Sequence, residues 1–231
     1  MDAERTRKIV VTKNGPYLVS GGVPVAVQVI GTNEAGGSWE WEPGAALEAD
    51  ETYALCRCGK SSTAPFCDGT HARVGFDGTE TASRLPFDEQ KTVLDGPTMT
   101  LEDARPFCAV ARFCDNFGSV WELIAKTNDL SARELLLHEA TRCPSGRLVA
   151  RDKATGQAIE PAFDPSIGIV EDPAENCSGP LWVRGGIEIQ SPDGEGYEVR
   201  NRVTLCRCGQ SKNKPFCDGS HVEIGYKDGR T

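Results

Sequence analysis

Eight residues of this chain stand in a pattern able to bind metal. Cys56, Cys58, Cys67 and His71, and again Cys206, Cys208, Cys217 and His221, share one spacing, Cys-x-Cys-x8-Cys-x3-His. The chain has ten cysteines and only three histidines, and two of those histidines occupy this fourth position, so chance is a poor explanation. Thiolates are soft, strongly donating ligands suited to iron–sulfur clusters or zinc, and one imidazole makes the set less electron-rich than four thiolates. The Cys-x-Cys pair can grip one metal from a tight loop, and Pro65 or Pro215 turns the next segment back toward it. Cys67 and His71, like Cys217 and His221, are four apart and share a face if the intervening Asp-Gly opens a helical turn. Each side then supplies two ligands. Cys3His is also a zinc set, although zinc ribbons and fingers usually open with Cys-x2–4-Cys.

The elements that position these residues come in two near copies. Gly15-Pro16-Tyr17-Leu18-Val19-Ser20-Gly21-Gly22-Val23 matches Gly179-Pro180-Leu181-Trp182-Val183-Arg184-Gly185-Gly186-Ile187, so the repeat includes the segments leading to each motif. The offset is 164 residues there and 150 at the cysteines, so the first copy carries 14 extra residues, placed in the Gly-rich stretch from Thr32 to Gly44. Lys8 to Thr12, Tyr17 to Ser20, Val23 to Ile30 and Thr52 to Leu55 read as strands, as do Leu181 to Ile189 and Tyr197 to Leu205. Between the copies the character changes. Ser119-Val-Trp-Glu122 and Ser131-Ala-Arg-Glu134 are capping-box patterns, predicting short helices near Val120 to Lys126 and Ala132 to Thr141. The expected fold is mostly β with a small α-containing insert (α+β): a first module over 1–86, a partly helical insert over 87–165, and a second module over 166–231.

Written out, Cys56-Arg-Cys58-Gly-Lys-Ser61-Ser-Thr-Ala-Pro65-Phe-Cys67-Asp68-Gly69-Thr70-His71 and Cys206-Arg-Cys208-Gly-Gln-Ser211-Lys-Asn-Lys-Pro215-Phe-Cys217-Asp218-Gly219-Ser220-His221 resemble the CDGSH iron–sulfur family of mitoNEET type. That family's pattern is Cys-x-Cys-x2-Ser/Thr-x3-Pro-x-Cys-Asp-Gly-Ser/Ala/Thr-His, and both stretches satisfy every position. The resemblance implies two [2Fe-2S] clusters. Cys56 and Cys58 would hold one iron and Cys67 and His71 the other, with Cys206, Cys208, Cys217 and His221 repeating the arrangement. It also implies a β-cap over the clusters, made in many relatives by two chains and here expected within one chain as an intramolecular pseudo-dimer, hence a monomer. A reduced core carries more negative charge, which favours protonation of a histidine nitrogen facing solvent; the potential should then fall as pH rises. Protonation of the metal-bound nitrogen would break the bond, so acid-labile clusters are expected.

Neighbouring residues have plainer readings. Asp68 and Asp218 are expected as caps of the helical turn before any tuning of the histidine. Ser61 and Ser211 are turn-forming hydroxyls or donors to cluster sulfur, and Arg57 and Arg207 are read as exposed. The Gly-Gly pairs lack the Gly-x-Gly-x2-Gly pattern and read as tight turns, and Trp39, Trp41 and Trp182 as packing residues.

Outside the motifs, Cys108-Ala-Val-Ala111-Arg-Phe-Cys114 followed by Cys143-Pro144 resembles a one-cluster ferredoxin with Ala111 where the second ligand belongs. That loss excludes a standard four-thiolate cubane. The three thiols either hold a three-iron cluster or are a packed relic, and buried free cysteines, commonly structural, favour the relic. His138 reads as an ordinary surface or packing residue, and Cys177 fits no pattern.

With 34 acidic against 25 basic residues, net −9, nothing marks a nucleic-acid surface. The N-terminus lacks the apolar run of a secretory signal and no window reaches the roughly 20 apolar residues that span a bilayer, so a cytoplasmic location without membrane attachment is expected. No nucleophile with a base, paired carboxylates or phosphate loop appears, so no enzyme activity is expected. The expected function is one-electron transfer with redox partner proteins. The alternatives are a cluster donor to apo iron–sulfur acceptors or a redox/pH sensor, and, less favoured, a structural zinc protein.

Overall fold

β-branched and aromatic residues favour extended backbone in the leading segments, and burial then alternates along each strand, with Ile9 and Val11, and Tyr53 and Leu55, turned into the core of the first sheet. The computed structural model describes residues 7–229. Numbered in chain order, the first sheet contains β1 (Lys8–Val11), β2 (Tyr17–Ser20), β5 (Thr52–Leu55) and β12 (Glu188–Gln190), in the order β12-β1-β2-β5. The second contains β3 (Val25–Thr32), β4 (Ser38–Leu47), β10 (Ser166–Asp172), β11 (Cys177–Arg184) and β13 (Arg202–Leu205), in the order β13-β11-β10-β3-β4. β11 is buried along nearly its whole length, as its run Gly-Pro-Leu-Trp-Val requires.

The two copies exchange strands reciprocally. β12, from the second copy, pairs parallel to β1 with Ile189 opposite Ile9, while β3, from the first, pairs parallel to β10 with Val25 opposite Ile167. Each sheet is therefore incomplete without the other copy. Ile9, Val11, Tyr17 and Val19 share one buried core with Ile167, Leu181, Val183 and Leu205. Burying such side chains stabilises by roughly 1.5–3 kcal/mol each.

The insert has its own core, in which Met99, Leu101, Leu123, Leu136 and Leu148 meet. It carries a third sheet, β6 (Thr92–Asp95), β7 (Met99–Asp103), β8 (Leu148–Asp152) and β9 (Ala158–Ile159), which the helix-centred reading did not anticipate. Both expected helices form. Val120–Leu123 runs on as a 3-10 turn over Ile124–Lys126, and a longer helix spans Leu130–Arg142. Their caps differ from the expectation. Ser119 makes no side-chain cap bond, and the longer helix starts at Asp129, whose carboxylate accepts from the Ala132 N–H, leaving Ser131 inside the helix. Asp129, two residues earlier, outcompetes the serine because its charged oxygen makes the stronger cap.

The 14 extra residues of the first copy fall where expected, in the β3–β4 hairpin, and the arm they form grips the insert. Trp41 Nε1 donates to Arg142 O, Arg142 pairs with Glu40, Asn116 donates to Ser38 O, and Trp39 stacks on His138 at 3.7 Å between ring centroids.

Candidate metal centres

Each motif is a loop closed onto its own strand. The Cys56 N–H donates to Pro65 O at 2.7 Å and the Cys67 N–H to Ala54 O at 2.9 Å; the second copy repeats both bonds at 2.8 and 2.9 Å. Pro65 and Pro215 both follow cis peptide bonds. Gly69 and Gly219 take positive φ at the start of short helices over Thr70–Arg73 and Ser220–Glu223, which bring each histidine back over its cysteine. The expectation that Cys and His four apart share a face is met.

The donors gather as pairs. Cys56 Sγ lies 3.7 Å from Cys58 Sγ, and Cys206 Sγ 3.8 Å from Cys208 Sγ. Cys67 Sγ is 3.3 Å from His71 Nδ1, and Cys217 Sγ 3.4 Å from His221 Nδ1. With metal–sulfur bonds of about 2.3 Å and metal–nitrogen bonds of about 2.0 Å, two ligands at a tetrahedral angle stand roughly 3.8 Å apart for S–S and roughly 3.5 Å for S–N. All four pairs fit that edge. Among the described residues, no three Cys, His, Asp or Glu groups converge on a point able to hold a single ion. Burial pushes the Cys58 thiol up to about 11 and raises Cys67 and Cys217 as well, with neighbouring thiols adding to the shift. These thiols keep their protons until a cation compensates their charge, which suits them to metal and leaves them poor free nucleophiles. The Gly69 and Gly219 N–H groups donate to Cys67 and Cys217 Sγ, supporting negative charge on those sulfurs.

Asp68 accepts from the Ser62 N–H and hydroxyl and from the Thr70 N–H, and these bonds hold its carboxyl well below the usual range. Asp218 does the same with Lys212 and Ser220. Neither is the helix cap expected: the N-cap positions are Gly69 and Gly219, without a side-chain cap bond, and each Asp closes a turn one residue earlier and ties it to the Ser62 or Lys212 segment. Ser61 and Ser211 donate to Phe66 O and Phe216 O, the turn-forming role. The arginines overturn their expected exposure: Arg57 and Arg207 are each 1 % exposed. Arg57 donates to Thr12 O and Gly78 O. Arg207 donates to Gly179 O and Val170 O and pairs with Glu171 and Asp228. The alternating Cys-x-Cys loop turns its middle residue inward, and a guanidinium there satisfies buried carbonyls of the preceding strands.

Two relations were invisible in the motifs. Tyr17 reaches across from the first copy, its hydroxyl 2.9 Å from Cys206 O and 3.0 Å from Pro215 O, where the second copy has Leu181. The loops also touch: a side chain at Gly59 would meet Cys208 O at 2.5 Å, and one at Gly209 would meet Cys58 O at 2.6 Å. The two sites are therefore neighbours across a glycine contact.

They are unequal neighbours. Cys217 and His221 are 2 % and 3 % exposed, whereas Cys67 and His71 are partly exposed. The difference comes from the insert: Val110 lies against Gly219, and Pro106 O accepts from Asn213. The expectation of a solvent-facing histidine in both copies holds for His71 and not for His221.

In the insert, Cys108, Cys114 and Cys143 line one small cavity of about 30 Å³, together with Ala111. Burial, with Cys143 and Cys108 adding to it, pushes the Cys114 thiol up to about 12. Val110 and Arg112 take positive φ as the loop wraps this cavity. Cys177 is fully buried in β11 away from it, and His138 packs on Trp39 as expected. Trp41 lies between Phe113 and Trp182, a packing role.

Residues 14–72 and 178–222 both match the family described as iron-binding zinc finger, CDGSH type. Residues 94–153 match the family described as divergent 4Fe-4S mono-cluster. No curated protein and no solved structure matches the chain. Fold, donor pairs and both families define the class: this is an iron–sulfur protein. More particularly, it is a tandem CDGSH-type protein whose two repeats flank a degenerate ferredoxin-like segment. Among the described residues, no helix is long and apolar enough to cross a membrane.

Proposed function

We propose that each Cys3His set holds a [2Fe-2S] cluster and that the protein carries single electrons between partner proteins. The observation that supports this best is the pairing of donors: two ligands at tetrahedral-edge distance, twice in each loop, suit two irons per site better than one zinc ion. Cys56 and Cys58 would hold one iron and Cys67 and His71 the other, with Cys206, Cys208, Cys217 and His221 doing the same in the second copy. When bound, such a core supplies a one-electron couple. The chain's own residues do the rest. The reciprocal strand exchange forms a pseudo-dimer β-cap that fixes the two loops against each other, so one chain suffices and a monomer is expected. Tyr17 and the two buried arginines lock the loops to that cap. His71, which would bind through Nδ1, lines an open groove, so its other nitrogen would be the one to take a proton. His221 is shut away from water. Visible absorption and EPR spectra with iron and acid-labile sulfide counts test the reading.

Exposure of Cys67 and His71 supports a second reading, release of the first cluster to an apo acceptor. Incubation with an apo-ferredoxin separates the two, since a carrier keeps its colour while a donor passes it on. The family match over residues 94–153, with Cys108, Cys114 and Cys143 lining one cavity, supports a third, sulfur-ligated cluster as the alternative to a packed relic, and the iron count decides between them.

A further inference from the structure

The partly exposed His71 opens onto a groove in two connected parts. One is lined by Lys13, Asn14, His71 and Ala72, the other by Cys58, Lys60, Val74, Gln210 and Lys214, and Gly75, Phe76 and Asp77 belong to both. Its floor is apolar in part, with Val74 53 % exposed. Its rim is basic. Lys13 and Lys60 are exposed and enter no ion pair among the described residues, Arg73 is exposed on the helix beside His71, and Lys214 closes the far side. Against these stand Asp77, held by Thr79, and Asp68, held by Ser62 and Thr70. Four cations around two engaged carboxylates form a positive island on a chain whose net charge is −9. A groove also opens beside the second motif, lined by Arg105, Cys108, Val110, Arg147 and Asp218, but it exposes no ligand edge, because Cys217 and His221 are buried beneath the insert and Arg147 is paired with Asp103.

An exposed ligand edge in a small apolar centre with a charged rim is the anatomy of a transient protein interface, and rim charge governs encounter rate more than final affinity. From this we infer that the groove over His71 is the docking port for a one-electron carrier protein with a carboxylate-rich face. The inference rests on the one-electron reading above. In the encounter one electron leaves the reduced carrier, which is oxidised, and enters the first site, which is reduced.

The test uses the iron-loaded full chain in stopped flow. A reduced, carboxylate-rich ferredoxin serves as donor, and in a separate arm the dithionite-reduced chain is mixed with an oxidised, lysine-rich cytochrome c. The expected result is a ferredoxin rate that falls tenfold or more as ionic strength rises from about 10 to 200 mM. Lys13→Glu/Lys60→Glu should lower the low-salt rate by a similar factor, and Lys126→Glu on the insert should not. Iron content and visible spectrum verify loading, and Lys13→Gln/Lys60→Gln replaces the reversal if loading drops. A ferredoxin rate indifferent to salt and to the lysines, or a salt-sensitive preference for the cytochrome, overturns the docking inference. A reversible dithionite cycle in that same protein shows that the one-electron reading survives it; failure of the dithionite cycle removes that reading and the port with it.

Discussion

Replacing Tyr17 with Phe removes the buried hydroxyl that ties the first copy to the second copy's metal loop, and leaves the exposed Thr81 hydroxyl on Lys212 O in place. Its ring stays fully buried, so apolar packing is conserved and the change isolates the hydrogen bond. One O–H is shared between Cys206 O and Pro215 O. Pro215 O keeps the Cys206 N–H, while Cys206 O loses the hydroxyl. A lost buried bond with an orphaned acceptor costs about 1–3 kcal/mol. If opening of that loop governs metal loss, the release rate rises roughly 5- to 150-fold, at about 1.4 kcal/mol per tenfold. The assay is chelator-driven bleaching of the loaded protein. Wild type should bleach in two phases, the faster from the site with exposed Cys67 and His71, the slower from the covered site. Tyr17→Phe should accelerate the slow phase and leave the fast one alone. An unchanged slow phase, or acceleration of the fast phase only, refutes the claim that this tyrosine latches the second loop.

Arg207→Met removes the cation shared by buried Glu171 and Asp228, and should lower the unfolding free energy in urea by about 3–5 kcal/mol; a loss under 1 kcal/mol contradicts the network. His71→Cys should flatten the pH slope of the first cluster's potential, which falls with rising pH by up to about 59 mV per unit, whereas His221→Cys should change little, since water does not reach that ring. Equal slopes at both sites before mutation would count against it. Glu139, fully buried in the insert helix, is raised to about 7 by burial, against the pull of the Asn116 and Phe117 N–H groups. Because the folded state holds that proton more tightly than the unfolded chain, stability should decline as pH rises from about 4.5 through 7. Glu139→Gln should remove the decline, as urea midpoints at pH 5 and 8 would show.

The ligands and leading strands are legible because spacing and β-branched, aromatic content are local properties written twice. Repetition of Gly-Pro, Gly-Gly and the cysteine motif even located the extra hairpin of the first copy. What could not be read was how the copies combine. Parallel pairing of β1 with β12 joins residues about 180 apart, and no local pattern encodes it. Tyr17 gave a faint signal, as a polar aromatic where the other copy has leucine, but its partners are backbone carbonyls and leave no trace in composition. Burial of Arg57 and Arg207 leaves no mark in the motif, because a charge between two ligands reads as solvent-facing until the loop's inward turn is known. The insert's strands are hard to read because Thr-Val-Leu-Asp and Leu-Val-Ala-Arg-Asp set apolar residues side by side without alternation, and the capping patterns nearby give the stronger signal. The inequality of the two sites depends on Val110 and Pro106 folding back over the second motif, a tertiary event.

Iron and acid-labile sulfide, counted in purified protein carrying Cys108→Ser, Cys114→Ser and Cys143→Ser, measure the two motif sites alone. Two diiron centres predict about four irons and four sulfides per chain, with visible absorbance that reductant bleaches. Colourless protein with about one zinc ion per site and no labile sulfide would contradict it.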